Sequence, residues 1–252
     1  MGTQVIDATG QHNGTASVDI GTMLVIPGHV GTGCYDFDGQ YGVDIGNESD
    51  WNPVLNTPIG VALWAYYIKD GNTQILISKD SVNTGVGKGG WFFFVGGSTD
   101  YLYFQFVDDN NSYIRRKSSI VMPQETWTCL VAWKDNTESR FDCHIRMDNT
   151  LRDGAAEKGG AINYDGPDSC TSKAFIGGRD DDAGGVNLPW NGYLEEARFF
   201  NGSVPDAAQQ TTFYGGGSGT ESGLDGGSWL ASNKGTYHMN VPSAPLPQFY
   251  NV

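Results

Sequence analysis

Short apolar runs separated by turn residues follow one another along most of the chain. The run GVALWAYYIK (60–69) is apolar at both alternating sets of positions, which is typical of a central strand of a sandwich. Gly71 and Asn72 lead from it into QILISKD (74–80), so the two runs predict a hairpin. Two aromatic runs, GWFFFVG (90–96) and YLYFQFVD (101–108), predict a second hairpin.

The same pattern continues towards residue 202. TWTCLVAWKD (126–135) and RFDCHIRMD (140–148) flank a tight turn, and GYLEEARFFNG (192–202) closes the set of strands. Only VPDAAQQTTFY (204–214) predicts a helix, with Pro205 suited to its first turn. About a dozen short strands spaced by turns predict an all-β fold, a two-sheet antiparallel jelly-roll sandwich.

The composition divides the chain into three parts. Residues 1–214 form the predicted jelly-roll domain, and 215–227 (GGGSGTESGLDGG) form a predicted Gly-rich linker. Residues 228–252 form an extended C-terminal tail that is too short to bury a core of its own. Its aromatic residues need a surface either on the parent domain or on a neighbouring subunit. We favour the neighbour, which makes the tail a docking arm and the protein a homo-oligomer.

Composition supports the strand prediction, and charge narrows the range of partners. The chain has 36 Gly and 31 aromatic residues, which is typical of strands and turns. It has 29 acidic against 15 basic residues, a net charge of −14, and no run of more than three consecutive Lys or Arg residues. The negative electrostatic potential of such a chain repels phosphate backbones and anionic lipids, so the sequence argues against nucleic-acid binding. No stretch approaches 18 consecutive apolar residues, so no membrane insertion is predicted.

The N-terminus and the cysteines bear on the cellular compartment. MGTQVIDATG lacks the basic and apolar regions of a secretory signal, so we expect synthesis in a cytoplasm. The cysteines form no C-x-x-C motif, and one hypothesis is that Cys129 and Cys143 face each other across a predicted hairpin. A disulfide between them and free buried thiols both remain open, and free thiols are favoured.

Motifs of hydrolase and metalloenzyme chemistry are missing from the sequence. No two of the four histidines are spaced i, i+4, and neither H-E-x-x-H nor G-x-S-x-G occurs. A sandwich glycosidase needs two carboxylates facing one sugar, hence at i and i+2 on a strand. Glu195 and Glu196 are adjacent, and neither E-x-D-x-E nor E-x-D-x-x-E is present. The sequence therefore predicts a non-catalytic protein.

Two acidic clusters are candidates for a structural calcium site. Asp180, Asp181 and Asp182 lie between glycine pairs, and three carboxylates on one loop repel each other unless a cation neutralises them. A solvated acidic loop is the alternative. Asp36 and Asp38 alternate onto one face of a short strand and form the second candidate. Asp36 capping the end of that strand is the alternative there.

Aromatic side chains next to loops are candidates for carbohydrate binding, because sugar rings stack on them. Trp91, Trp190 and Tyr164 lie beside Gly-rich or Asp-rich segments and are the predicted binding residues. The alternative for each is an anchor of the core or of a loop. The tryptophans inside apolar runs are predicted to be core residues: Trp64, Trp127 and Trp133.

An ordered set of motifs resembles the laminin G-like, concanavalin A-like lectin/glucanase family. The resemblance covers roughly residues 5–219, and the order and spacing of the motifs are more specific than any one of them. In chain order they are DATGQHNGT, Phe37-Asp38-Gly39, ALWAYYIK, ILISKD, TWTCLVAW, IGGRDDDAGGVNLPWNGYLEEARFFNG and TTFYGGGSG. The chain departs from the family pattern at HIRMDN, where Asp148-Asn149 replaces Asn-Gly, and at Leu194-Glu195-Glu196, which replaces a family i-D-E.

The resemblance implies a jelly roll of twelve to fourteen strands, often with a structural calcium ion. Through the position of the family's acidic motif it adds Glu195 to the calcium candidates. It implies binding of carbohydrate, or of a glycosylated or protein partner, as the function. Similar modules occur in phage and bacterial surface proteins, and fold alone does not fix function.

We therefore expect a virion surface protein, either a capsid decoration or a tail-fibre protein, that contacts glycans or a host cell surface. Its tail would dock to other viral structural proteins. The alternatives are a free or secreted bacterial lectin-like protein in an extracellular setting, a sandwich glycosidase or lyase, and a purely structural protein without a ligand.

Overall fold

The computed structural model describes residues 4–5, 12–25, 27–31, 33–47, 49–52, 57–80, 90–108, 111–135, 140–159, 170–183, 185–219 and 233–237. Within these ranges the helices are α1 (Ile20–Met23) and α2 (Ala207–Tyr214). The strands are β1 (Gln4–Val5), β2 (Gly14–Ala16), β3 (Leu24–Val25), β4 (Cys34–Asp36), β5 (Val43–Asp44), β6 (Ile59–Tyr67), β7 (Gln74–Lys79), β8 (Gly90–Val95), β9 (Tyr101–Val107), β10 (Tyr113–Val121), β11 (Trp127–Lys134), β12 (Cys143–Met147), β13 (Thr150–Leu151), β14 (Asp153–Gly159), β15 (Ala174–Ile176), β16 (Arg179–Asp180), β17 (Val186–Asn187), β18 (Gly192–Asn201) and β19 (Asn233–Tyr237).

Two antiparallel sheets pack face to face. The larger sheet has nine strands in the order β1-β2-β5-β15-β7-β8-β9-β10-β14. The smaller has eight, in the order β13-β12-β11-β6-β18-β4-β3, with β19 beside the second half of β18. A small hairpin of β16 and β17 stands apart from both. This architecture confirms the predicted concanavalin A-like jelly-roll sandwich.

Period-two alternation determines which residues enter the core. On β6, Ile59, Val61, Leu63 and Ala65 belong to the main core cluster between the sheets. The residues between them, Trp64 among them, lie on the outer face of the smaller sheet. A second apolar layer covers part of that outer face, so β6 is buried on both sides, as its sequence predicts.

The predicted helix is present as α2. Asp206 is its N-cap and forms a capping box with Gln209, and Gly215 ends it in the left-handed conformation. Phe213 of α2 is buried against the outer face of the smaller sheet. The helix α2 and the turn after it therefore cover part of that face, and we call this cover the roof.

The first residues of the predicted linker belong to the domain. Gly215–Gly217 form a 3-10 turn, and Gly219 packs where a Cβ would lie 2.3 Å from Val30 Cγ2 and 3.1 Å from Trp64 Nε1. Its φ is also positive, +67°. The ordered domain thus extends at least to Gly219, and the rest of the predicted linker lies outside the described residues.

Part of the predicted docking arm pairs with its own domain. Residues 233–237 form β19, which is antiparallel to β18. Tyr237 is buried, and its hydroxyl donates to the carbonyl of His12 at 2.7 Å. These five residues therefore lie on the parent domain, because β18 offers an unpaired edge beyond β4. The docking arm and the homo-oligomer stay predictions, and the rest of the tail lies outside the described residues. Within the described residues, no helix is long and apolar enough to cross a membrane.

Candidate functional site

Three aromatic side chains lie in register across the outer face of the smaller sheet. Trp127 on β11 is paired with Tyr66 on β6, and Tyr66 is paired with Tyr193 on β18. The ring centroids of Trp127 and Tyr66 are 5.8 Å apart, and those of Tyr66 and Tyr193 are 5.3 Å apart. All three side chains are half-buried. We call Trp127, Tyr66 and Tyr193 the aromatic row.

The aromatic row carries polar groups that are not used inside the protein. Among the described residues, neither the Tyr66 nor the Tyr193 hydroxyl has a hydrogen-bond partner, and the Trp127 indole N–H has none. Asp36 on β4 is paired with Tyr193 and extends the row by one strand. Its Oδ1 accepts the N–H of Asp38, whereas Oδ2 has no described partner. The surface therefore combines aromatic rings in edge-on and tilted contact with hydroxyl, indole and carboxylate groups.

A loop at residues 27–31 forms one wall of the aromatic row. The His29 ring stacks on Trp127, with centroids 5.4 Å apart and planes 19° apart, and lies 4.5 Å from the Trp64 ring. The His29 Nε2 lies 2.9 Å from the carbonyl oxygen of Gly217, in the turn after α2. The wall is thus fixed both to the sheet and to the roof.

Glu195 anchors this loop from below. Its fully buried carboxylate accepts the backbone N–H groups of His29 at 2.8 Å, Val30 at 3.0 Å and Gly31 at 2.6 Å. Burial raises the pKa of Glu195, and the three N–H donors limit the rise. At Gly28 a Cβ would lie 2.7 Å from Glu195 Oε1, so only glycine lets the loop approach this closely.

Two of the predicted carbohydrate-binding residues are core residues. Trp91 and Trp190 are each 0% exposed. Trp91 lies on the inner face of β8, and Trp190 packs on the Tyr67 ring with centroids 5.5 Å apart. Both predictions are therefore wrong, because period-two alternation turns Trp91 inwards and the segment before β18 buries Trp190. Tyr164 lies outside the described residues.

Of the three tryptophans that the sequence predicts to be core residues, one is buried and two are not. Trp64 is buried beneath Val30 and Tyr214, as predicted. Trp127 and Trp133 lie on the outer face of β11 and are only half-buried. The core prediction is wrong for these two, because β11 ends beyond the roof that covers Trp64.

The calcium candidates lie in three separate places. Asp180 and Asp181 lie at the β16–β17 hairpin, where Asp180 accepts the N–H groups of Lys173 and Asp182. Asp181 Oδ1 accepts the N–H groups of Ala183 and Gly185. The other candidates, Asp36 and Asp38 at β4 and Glu195 under the loop, lie on or at the outer face of the smaller sheet.

These carboxylates do not fit a shared cation site. Within the described ranges, no three His, Cys, Asp or Glu side chains are grouped so that they could hold a metal ion. Glu195 is saturated by N–H donors, and a carboxylate that accepts backbone N–H groups is already stabilised without a cation. The calcium site stays a prediction from the sequence.

The cysteines are free and buried, as favoured. Cys129 packs on the outer face of the smaller sheet, whereas Cys143 belongs to the core between the sheets. The two thiols point to opposite faces, so they do not meet across the hairpin. Burial raises the pKa of Cys143 to about 12.

A histidine between two carboxylates lies near the other end of β11. His144 Nδ1 lies 2.6 Å from Asp153 Oδ2, and Nε2 lies 3.2 Å from Asp135 Oδ2. The His144 ring stacks on Trp133 at 5.0 Å. The hydrogen bond to Asp153 raises the pKa of His144 above its ordinary 6.5, although burial opposes the rise.

This cluster predicts a pH-dependent stability. A raised folded-state pKa means that the stabilisation is complete below the unfolded pKa of 6.5 and is lost as the pH rises through the higher folded-state value. We expect His144→Gln to lower the free energy of unfolding by about 0.5–1 kcal/mol near pH 5.5 and by less near pH 8.5. Urea unfolding of both proteins at the two pH values measures this difference. A difference that is equal at both pH values would contradict the assignment.

A family comparison agrees with this architecture. The sequence model of the concanavalin A-like lectin/glucanases superfamily matches residues 37–209. The chain belongs to this superfamily. The matched segment contains all three residues of the aromatic row. No curated protein sequence matches the chain.

Solved structures of the superfamily fold are similar to this chain at low sequence identity. Tailspike protein 2 of Escherichia coli O157:H7 bacteriophage CAB120 aligns with 95% of this chain at 9% identity and a TM-score of 0.52, and the chain spans 30% of that protein. The heptameric SAP-like pentraxin of Limulus polyphemus aligns with 75% of the chain and 86% of its own at 15% identity, with a TM-score of 0.44. A CBM40 of a Ruminococcus gnavus sialidase, solved with α2,3-sialyllactose, aligns with 66% of the chain and 90% of its own at 12% identity, with a TM-score of 0.38.

Sequence reasoning missed the aromatic row. Two residues away on the same face, Tyr66 has Trp64 and Trp127 has Cys129, whereas Tyr193 has the acidic Glu195. Their alignment requires the register of β6 against β11 and β18, and Tyr66 is 61 residues from Trp127 and 127 residues from Tyr193 in the sequence. The available signal was an aromatic residue at the end of each of three apolar runs.

Proposed function

We propose that the protein is a non-catalytic saccharide-binding module and that the aromatic row is its binding surface. The observation that carries the proposal is the in-register set of Trp127, Tyr66 and Tyr193, with uncommitted hydroxyl and indole groups. Three neighbouring strands span about 10 Å, so the row is long enough to stack more than one sugar ring. Membership of a superfamily of lectins and glucanases supports the same ligand class.

Binding is favoured over hydrolysis by the state of the acidic residues. Glu195 and Glu196 are each 0% exposed. Glu195 holds the loop at 27–31, and Glu196 pairs with Arg198 at 3.1 Å. A glycosidase needs two carboxylates that face the same sugar. Neither of these can reach a bound sugar without dismantling its own contacts.

The proposal is tested by saccharide binding to the wild-type protein and to single variants. A panel of neutral oligosaccharides is screened first, and the best ligand is titrated by calorimetry. We expect Trp127→Ala and Tyr66→Ala each to weaken binding by about tenfold. Trp127→Phe should retain more affinity than Trp127→Ala because it keeps a ring to stack on.

Trp133→Ala is the matched control, since Trp133 lies on the same strand and face outside the row. It should leave the affinity unchanged. Loss of binding in Trp133→Ala with full binding in Trp127→Ala would move the site away from the row. Absence of binding to every saccharide on the panel would overturn the proposed function.

We also propose the narrower role of a virion surface protein. The strongly acidic composition and the resemblance to phage surface modules support it, and the fold is similar to that of a phage tailspike. Antibody to the folded domain should label intact particles of the parent virus. Antibody binding only to soluble protein would favour the free lectin-like alternative.

A further inference from the structure

Two cations lie side by side on the outer face of the larger sheet. Arg115 and Lys117 are alternate residues of β10, and Ile114 and Arg116 beside them are buried towards the other face. The Cα atoms of Arg115 and Lys117 are about 7 Å apart at the rise of an extended strand. In a chain of net charge −14, this pair is a local reversal of sign.

Aromatic rings support both cations from the neighbouring positions. The guanidinium carbon of Arg115 lies 4.8 Å from the Tyr103 ring centroid and 5.0 Å from that of Tyr113. The Lys117 ammonium lies 3.8 Å from the Tyr101 ring centroid. Such contacts fix the direction of each cation without neutralising its charge.

Among the contacts of the described residues, the Arg115 guanidinium keeps two donors free. Its Nε, at 2.7 Å, and its Nη2 both donate to Glu157 Oε2, and its Nη1 donates to Gln105 Oε1 at 3.3 Å. A guanidinium has five N–H groups, so one remains on each terminal nitrogen. The side chains of Arg115 and Glu157 are 26% and 33% exposed. Two N–H groups on adjacent nitrogens match the two oxygens of a carboxylate.

The rest of the surface matches a sugar bearing that carboxylate. Lys117 has no carboxylate partner among the described residues, so it supplies a second positive charge. Glu157 Oε1 has no described partner either and can accept a hydroxyl. Phe92 is paired with Gln105 on the same face and is half-buried, which provides an apolar ring beside the polar groups.

We propose that Arg115, Lys117, Glu157 and Phe92 form a second saccharide site, on the opposite side of the sandwich from the aromatic row, for sugars that carry a carboxylate. We call it the acidic-sugar site. The proposal rests on the proposed function only in that the ligand is a saccharide, because none of its residues belongs to the aromatic row. Charge complementarity selects the ligand class: Arg115 already pairs with Glu157, but an uncharged sugar would leave Lys117 without a counter-charge among the described residues.

The test compares an oligogalacturonate with its fully methyl-esterified form by calorimetry at low salt. We expect the esterified form to bind at least about tenfold more weakly, because it lacks the charged acceptor. Arg115→Gln and Lys117→Gln should each weaken oligogalacturonate binding by a similar factor. Arg115→Lys should also bind weakly, because a lysine keeps the charge but lacks the planar pair of donors.

Two controls separate this site from general charge effects and from the aromatic row. Lys173→Gln makes the same change of net charge near the same sheet, at a side chain that pairs with Asp44, and should leave binding unchanged. Trp127→Ala is titrated with the same oligogalacturonate to show whether this ligand uses the aromatic row. Equal losses of oligogalacturonate affinity in Lys173→Gln and Lys117→Gln would show that binding depends only on the net charge of the protein, and would overturn the proposal.

The remaining outcomes are equally decisive. Loss of oligogalacturonate binding in Trp127→Ala alone would assign the acidic sugar to the aromatic row and overturn the second site. Competition by sodium acetate at the same concentration as the sugar would show recognition of a carboxylate rather than of a saccharide. Lys117 makes no hydrogen bond within the protein among the described contacts, so Lys117→Gln should keep the wild-type melting temperature. If this folded variant also binds oligogalacturonate as tightly as the wild type does, the proposal is overturned.

Discussion

Replacement of Trp91 with alanine is expected to lower the free energy of unfolding by about 3–5 kcal/mol. The Trp91 ring stacks on Phe199 of the opposite sheet, with centroids 5.1 Å apart and planes 14° apart. Its indole N–H donates to the carbonyl of Trp51 at 3.0 Å. The substitution therefore opens a cavity between the two sheets and leaves a buried carbonyl without its donor. Urea unfolding followed by tryptophan fluorescence measures the loss.

The change in stability also distinguishes the two roles considered for Trp91, which are carbohydrate binding and anchoring of the core. Trp127→Ala is the matched comparison, since it removes the same side chain from a half-exposed position and should cost less than half as much. If Trp91→Ala does not fold, Trp91→Phe replaces it in the test. Because this variant keeps an apolar ring, it should fold and have a free energy of unfolding below that of the wild type. A Trp91→Ala protein of wild-type stability would show that the side chain is not a core residue.

Replacement of Glu195 with glutamine is expected to cost about 2–4 kcal/mol of stability and to release the wall of the aromatic row. A carboxylate offers two acceptor oxygens to the N–H groups of His29, Val30 and Gly31. Glutamine offers one oxygen, and its amide N–H₂ would face N–H donors. The loop at 27–31 then opens, and the stacking of His29 on Trp127 is lost.

Hydrogen exchange measures this release directly. The amides of His29, Val30 and Gly31 should exchange faster in Glu195→Gln by more than the change in global stability explains. Glu125→Gln is the control, because Glu125 is exposed and only its backbone N–H has a described contact, with the carbonyl of Tyr67. Unchanged exchange at the three amides would refute the role of Glu195 as the anchor of the loop.

The fold was predictable because its signals are local. Alternation along β6, β8, β9 and β11 and the turns between them specify strands and hairpins without reference to the rest of the chain. The capping box of α2 is also contained within four residues, Asp206 to Gln209. Motif order then selected the jelly roll among the possible sandwiches.

The candidate site was less predictable, because exposure depends on what lies above a strand. Trp64 and Trp127 share a face of the smaller sheet, and their local sequences look equally apolar. Only the path of α2 and of the loop at 27–31 buries one and leaves the other half-exposed. Similarly, nothing in the tripeptide around Glu195 shows that its carboxylate binds a loop more than 160 residues earlier in the chain.

The pairing of β19 with β18 has a consequence for folding kinetics. The Tyr237 hydroxyl meets the carbonyl of His12 across 225 residues of sequence. Contacts this distant carry the largest loop-closure entropy and slow the approach to the native state. During synthesis β18 emerges before β19, so for an interval its edge beyond β4 is open to pairing with other strands. Docking of β19 covers this part of the β18 edge, so slow formation of the pairing prolongs the exposure of that edge.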